Sequence, residues 1–118
     1  MTSNQIEAFL TFLRDCEQRY HMAEADEQEA NAITNDILHA LELKENGEAE
    51  LLRLVQELGQ ARRQRRKAKD TMGETLPVLE WMDENRAVVK RLERLLGDVR
   101  KAERYAENRI YTPRRPGV

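Results

Sequence analysis

The sequence predicts an all-α fold: a helical bundle with a long N-terminal helix, an extended C-terminal tail and assembly into an oligomer. The 118 residues include only 5 Gly and 3 Pro, and so few helix breakers are typical of long helices. Apolar side chains also recur with a heptad rhythm from Ile6 to Leu41, which is the spacing of one helix face. We therefore expect a single helical domain over residues 1–109 and an extended basic tail over residues 110–118.

The first helix is predicted to begin near Ser3 and Asn4, which are favourable N-cap residues. No Gly or Pro interrupts residues 4–43, but the apolar stripe weakens in the small, acidic stretch 24–29. The pattern predicts either one helix of about 40 residues or two helices that bend at this stretch. The stripe consists of Ile6, Phe9, Leu13, Cys16, Tyr20, Ala23, Ala30, Ile37 and Leu41.

The remaining elements are predicted from breakers and caps. Gly47 indicates a turn, and a second helix should run from about residue 48 to 73. Pro77 fits the first turn of a short third helix with Thr75 as its cap. Asn85 could end that helix or cap the last one, which should span about residues 86–108.

The length of the first helix predicts a homo-oligomer. Forty helical residues extend about 60 Å, whereas a compact chain of this length has a radius of gyration of about 13–14 Å. A helix that carries apolar residues at both ends therefore needs partners along its whole length. We therefore expect a homo-oligomer, in which other copies of the chain are these partners.

Charge is divided unevenly along the chain, although the net charge is only −2. Residues 1–60 carry 4 basic and 13 acidic side chains, and residues 61–118 carry 16 basic and 9 acidic ones. Such a division predicts that the halves neutralise each other, within one subunit or between subunits. It also allows the basic half to hold an anion.

The densest basic run is QARRQRRKAKD, residues 60–70. At about 100° per residue, four of its cations continue the apolar stripe of Leu51, Leu54, Val55 and Leu58. Three arrangements follow: the bundle opens and the face is wet, the acidic first helix pairs with it, or the cations line an anion pocket, since guanidinium forks suit phosphate oxygens. The four residues are Arg62, Arg65, Arg66 and Lys69.

The function hypothesis is a non-enzymatic protein that binds a nucleotide-like anion in a basic pocket between helices or subunits. The four cations would hold phosphates, and Tyr105, Arg109 or Tyr111 would contact a base or ribose. The segment that contains these three residues, YAENRIYTPRRP at 105–116, also suits a latch onto another subunit. One alternative is a nucleic-acid-binding or replication-associated protein whose basic surface contacts duplex DNA. The net negative charge makes DNA the less favoured partner, and a protein-interaction inhibitor of a host factor is a further alternative.

Other classes of site have no counterpart in the sequence. It contains no Gly-rich phosphate loop, no Ser/His/Asp arrangement and no zinc-ligand spacing, so we expect no enzyme, no cofactor and no metal. Cys16 is the single cysteine, which excludes an internal disulfide.

No apolar run reaches the roughly 18 residues of a membrane span, and residues 1–4 lack the features of a signal peptide. We therefore expect a cytoplasmic protein with no membrane partner.

Four segments resemble a group of small helical proteins from phages and prophages of Gram-positive bacteria. They are TNDILHALEL, RRQRRKAKD, RLLGDVRKAERY and ENRIYTPR, and the likeness covers about residues 30–114. The resemblance implies a viral accessory protein in the host cytoplasm. By analogy with phage sponge proteins, which hold cyclic nucleotides of antiphage defence between subunits with arginines and aromatics, it also implies sequestration of a host immune signal.

A second resemblance is to the all-α nucleoside triphosphate pyrophosphohydrolases, through NDILHALEL, residues 35–43. Those enzymes place two acidic pairs around magnesium, and the matching pairs here would be Glu24 with Glu27 and Glu80 with Asp83. The 53 residues from Glu27 to Glu80 exceed the separation in that family, and the basic run has no place in its pattern. This enzyme hypothesis is the weakest alternative.

Overall fold

A computed structural model describes residues 1–109 and shows three helices, which confirms the all-α prediction. Helix α1 spans Thr2–Leu43, α2 spans Glu48–Glu84 and α3 spans Arg86–Asn108. The predicted tail, residues 110–118, lies outside the described residues. No helix of the described part has the length and apolarity to cross a membrane.

Helix α1 is one helix of 42 residues and not two helices joined at a bend. The predicted caps were wrong, because α1 begins at Thr2 with Met1 as the N-cap residue. Ser3 lies inside the first turn and is buried. The predicted turn is confirmed: the Asn46 side-chain amide donates to the carbonyl oxygens of Ala40 and Lys44, at 3.2 and 3.0 Å. These bonds satisfy carbonyls that the end of α1 leaves without helical partners.

Helices α1 and α2 form an antiparallel hairpin with a seam of small side chains. Every seventh residue is buried on both helices, as in a coiled coil. Alanine occupies the middle of the seam, with exposures of 0–4%, which allows a close approach of the two backbones. The seam consists of Cys16, Ala23, Ala30 and Ile37 on α1, and Leu54, Ala61, Ala68 and Thr75 on α2.

Helix α2 continues through the region where two helices were predicted. It passes Gly73 and Pro77 and ends at Glu84, so the prediction of a separate short helix was wrong. Pro77 has no N–H to donate to the carbonyl of residue 73. Thr75 caps nothing; its hydroxyl donates to the carbonyl of Thr71 at 2.8 Å. Packing of the following turn on α1, where Trp81 meets Phe9 edge to face at 6.3 Å, keeps the chain helical.

Asn85 joins α2 to α3 and ends the first of them. Its backbone N–H and its side-chain amide both donate to the Trp81 carbonyl, at 3.0 and 2.9 Å, and its side chain makes no cap bond to α3. Helix α3 then packs along the first turns of α1, with Leu96 against Leu10 and Leu13. The Arg100–Glu7 ion pair, at 3.0 Å, lies beside this contact.

The described chain is extended and not compact. Its radius of gyration is 26.4 Å and its longest dimension is 97 Å, about twice the radius expected of a compact chain of this length. The accessible surface is 9713 Å², whereas a compact monomer of 13.8 kDa exposes about 6,600 Å². Roughly 3,000 Å² of additional surface is therefore exposed by a single copy.

Candidate anion-binding site

The basic side chains of the run in α2 do not lie on the buried seam. The seam passes through Ala61 and Ala68, and Gln64 reaches across it toward α1, 3.4 Å from the carbonyl oxygen of Asp26. Leu51 and Val55 are also exposed, so the prediction that their stripe forms the core was wrong for these two residues. The cations continue the stripe of Leu51 and Val55, and the stripe and the cations together lie on the flank of the seam.

The four predicted cations come together in one groove between α1 and α2. Its volume is about 390 Å³, within the range of small-molecule sites. Helix α1 contributes Asn31 and Thr34 to the opposite wall, and Asp70 is the one acidic side chain in the lining. The cations of the groove, which we call the basic groove, are Arg62, Arg65, Arg66 and Lys69.

Heptad geometry explains why these residues share a groove. Arg62, Arg65 and Lys69 follow one another at spacings of three and four residues, which keeps them on one face of α2. Because small alanines of the seam hold the two backbones close together, Asn31 and Thr34 of α1 line the same groove as these basic side chains. Asn31 and Thr34 were not predicted, although their own three-residue spacing on α1 could have indicated them.

The guanidinium groups of the basic groove have no acidic partner in the described part of the chain. The ion pairs found there involve Arg19, Arg53, Arg86 and Arg100. All four cations of the groove are exposed, and the acidic side chains of α1 do not pair with them within residues 1–109. Of the three predicted arrangements, the structure therefore shows a solvent-exposed basic face and not pairing with the acidic first helix. This face forms a groove that is able to accept an anion.

Of the predicted base or ribose contacts, the two that the structure describes, Tyr105 and Arg109, are far from the basic groove within one chain. Tyr105 is 72% exposed, near the end of α3 where Glu103 meets Ser3. Thr34 lies 31 residues further along α1, about 45 Å at 1.5 Å per residue. Arg109 follows the end of α3, and Tyr111 lies outside the described residues. Tyr105 and Arg109 could approach the groove only from another subunit.

The acidic pairs of the pyrophosphohydrolase hypothesis are also apart. In the antiparallel hairpin Glu74 approaches Arg19 and Trp81 meets Phe9, so Glu80 and Asp83 lie near the start of α1. Glu24 and Glu27 lie about a dozen residues further along that helix. No group of three or more His, Cys, Asp or Glu side chains suitable for a metal ion occurs within residues 1–109.

A larger groove lies where the three helices meet. Its volume is about 740 Å³, and it has an apolar floor of Leu79, Met82 and Val89. Charges of both signs surround this floor, including Glu17, Glu93 and Lys90. The balance of charge selects no particular ligand, in contrast with the concentrated positive charge of the basic groove.

No family model, curated protein or solved structure matches this chain.

Proposed function

We propose that the protein is a non-enzymatic binding protein for a phosphate-bearing, nucleotide-like anion, which the basic groove holds. The observation that carries the proposal is the convergence, in one groove between two helices, of four cations that form no ion pair within residues 1–109. Arginine offers paired N–H donors that match phosphate oxygens. Asn31 and Thr34 on the opposite wall add neutral hydrogen-bonding groups that can contact a sugar or a base.

The size of the groove supports a small ligand over a long polyanion. Arg62 and Lys69 are seven residues apart, about 10 Å along the helix axis. This span fits two or three phosphate groups, whereas duplex DNA presents phosphates along a much longer track. Together with the phage resemblance, it supports sequestration of a host signalling nucleotide as the biological role. A DNA-binding or host-protein-binding role is the alternative.

A matched pair of arginine variants tests the proposal. Arg65 lines the basic groove, whereas the Arg63 side chain folds back over Gly59, with Nη1 3.4 Å from the point that a β-carbon at Gly59 would occupy. Both arginines are exposed, so charge reversal at either should leave the fold intact. We expect Arg65→Glu to abolish ligand binding and Arg63→Glu to change the dissociation constant less than about threefold, because long-range attraction is screened beyond about 8 Å.

The assay is calorimetric titration in about 150 mM salt with inorganic phosphate, AMP, ATP and a cyclic dinucleotide. We expect at least one nucleotide to bind and to raise the melting temperature. Equal loss of affinity in both variants would show that general surface charge governs binding. Tight binding of mixed-sequence duplex DNA with a steep salt dependence, and no binding of any nucleotide, would replace the proposal with the DNA alternative.

A further inference from the structure

The face of the hairpin that carries the basic groove has three zones. Along α2, the residues Leu51, Val55, Leu58, Arg62 and Arg65 recur at spacings of three and four, so they form one continuous stripe. The stripe is apolar from Leu51 to Leu58 and basic at Arg62 and Arg65. Glu48, one heptad before Val55, adds an exposed acidic zone at the turn end of the hairpin.

Helix α1 repeats the pattern beside it. Asn31, Thr34, Leu38 and Leu41 follow the same three-and-four spacing, and the first two line the basic groove. Leu38 and Leu41 are exposed. The register of the hairpin, in which Arg19 meets Glu74 and Gln64 meets Asp26, sets their turns of α1 opposite the apolar zone of α2. The combined apolar patch is one that a soluble chain rarely leaves open to water.

The acidic and basic zones on either side of this patch are too far apart to form ion pairs with each other within one chain. Glu48 and Arg62 are 14 residues apart on one straight helix, about 20 Å. Neither forms an ion pair among the residues that the structure describes. Both lie seven residues from Val55, one on each side. An antiparallel copy rotated by a twofold axis through Val55 would therefore place Glu48 of each copy opposite Arg62 of the other.

We propose that two copies of this chain pair face to face through this surface, antiparallel, with Val55 at the twofold axis. The apolar patches cover each other, and the acidic turn end of each copy contacts the first cation of the other copy's stripe. An isologous contact of this kind closes the assembly at two subunits.

The pairing leaves most of the basic groove free. Arg65, Arg66 and Lys69 lie beyond the contact with the acidic zone, so an anion can still bind in the paired state. The proposal does not depend on the proposed ligand function, because subunit mass is measured without any ligand.

Light scattering on the purified full chain tests the pairing. We expect a molecular mass of twice 13.8 kDa for the unmodified protein. The mass of Val55→Glu should be 13.8 kDa, because pairing would bring two carboxylates together at the twofold axis. Met22→Glu is the matched control, because Met22 is 60% exposed and Val55 is 61% exposed, and Met22 lines a groove on the opposite face of the hairpin. It should leave the mass at the dimer value.

A charge exchange tests the register. Glu48→Arg and Arg62→Glu each place like charges opposite one another, and each should weaken the dimer about tenfold. The double variant restores opposite charges and should return the dissociation constant to within about threefold of the original. Circular dichroism checks that each variant keeps its helices.

Three outcomes would overturn the proposal. The first is a monomeric mass for the unmodified chain at about 50 µM, which is well above typical dissociation constants. The second is an equal mass for Val55→Glu and Met22→Glu, and the third is a double charge variant that dimerises no more tightly than either single variant.

Discussion

Ser3 donates two hydrogen bonds to the carboxylate of Glu103, although 100 residues separate them. Its backbone N–H contacts Oε1 and its hydroxyl contacts Oε2, both at 2.8 Å. The first turn of a helix leaves N–H groups without partners, and here a carboxylate from α3 satisfies one of them. Glu103 therefore takes the place of the side-chain cap that α1 lacks. A negative charge at this end also interacts favourably with the helix dipole.

The first prediction concerns acid stability. The backbone N–H of Ser3, followed by its hydroxyl, lowers the pKa of Glu103 below its usual value. A carboxyl whose pKa is lower in the folded state stabilises the protein fully above the unfolded value of about 4.3, and loses this contribution as the pH falls through the folded value. We expect Glu103→Gln to be less stable than the unmodified chain at pH 7, with the difference shrinking below about pH 4.

Urea denaturation at a series of pH values measures this difference. Glu107→Gln is the control, because Glu107 is an exposed glutamate one turn away whose side chain makes no hydrogen bond or ion pair within residues 1–109. It should match the unmodified chain at every pH. A Glu103→Gln penalty that stays constant from pH 7 to pH 2 would show that the loss is not electrostatic.

The second prediction concerns the alanine seam. Ala30 is fully buried where α1 and α2 approach each other, and Ala61 faces it from α2 with 2% exposure. Leucine at either position has no space and should destabilise the hairpin by about 1–3 kcal/mol. Ala25→Leu is the control, because Ala25 is exposed on the same helix and should change stability by less than about 0.5 kcal/mol. Chemical denaturation gives both values.

The seam also shows which parts of the fold could be predicted from the sequence. The length of α1, its end before Gly47 and the bounds of α3 follow from uninterrupted periodicity and from the residues that interrupt it. The face of α2 does not, because Leu51 and Val55 give a stronger apolar signal than Ala61 and Ala68. Alanine is buried here because its small side chain permits close packing of the two helices. A pattern of hydrophobic residues does not indicate which positions need a small side chain.

The candidate site shows a related limit. The grouping of the four cations follows from residue spacing within α2, and the structure brings them into one groove. The opposite wall depends on which turn of α1 lies beside them, and this is fixed by the register of the hairpin. Sequence periodicity sets the face of each helix but not the register between two helices, so Asn31 and Thr34 were not predicted. Within one chain, Tyr105 lies about 45 Å from the groove that it was predicted to serve.

The third prediction concerns the attachment of α3. Leu96 is 7% exposed and is the one buried residue of this helix, packed on Leu10 and Leu13. Leu96→Ala should cost about 2–5 kcal/mol and should expose the backbone amides of α3 to hydrogen exchange before those of the hairpin. Leu95→Ala, at a neighbouring position that is 46% exposed, should cost less than half as much. Similar costs for the two would mean that α3 is held by another face.

The fourth prediction concerns Pro77 inside α2. Proline within a helix removes the hydrogen bond to residue 73 and costs about 3 kcal/mol relative to alanine. Part of that cost is offset, because proline also lowers the conformational entropy of the unfolded chain, which stabilises the folded state by about 1 kcal/mol. We therefore expect Pro77→Ala to raise the free energy of unfolding by about 1–2 kcal/mol. Pro77→Gly restores the same N–H donor but has the lower helix propensity of glycine, so its gain should be about 1 kcal/mol smaller. Urea denaturation of the three proteins ranks them. Pro77 lines a groove together with Phe12 and Trp81. If neither variant gains stability, then the packing of the proline ring in that groove outweighs the missing hydrogen bond.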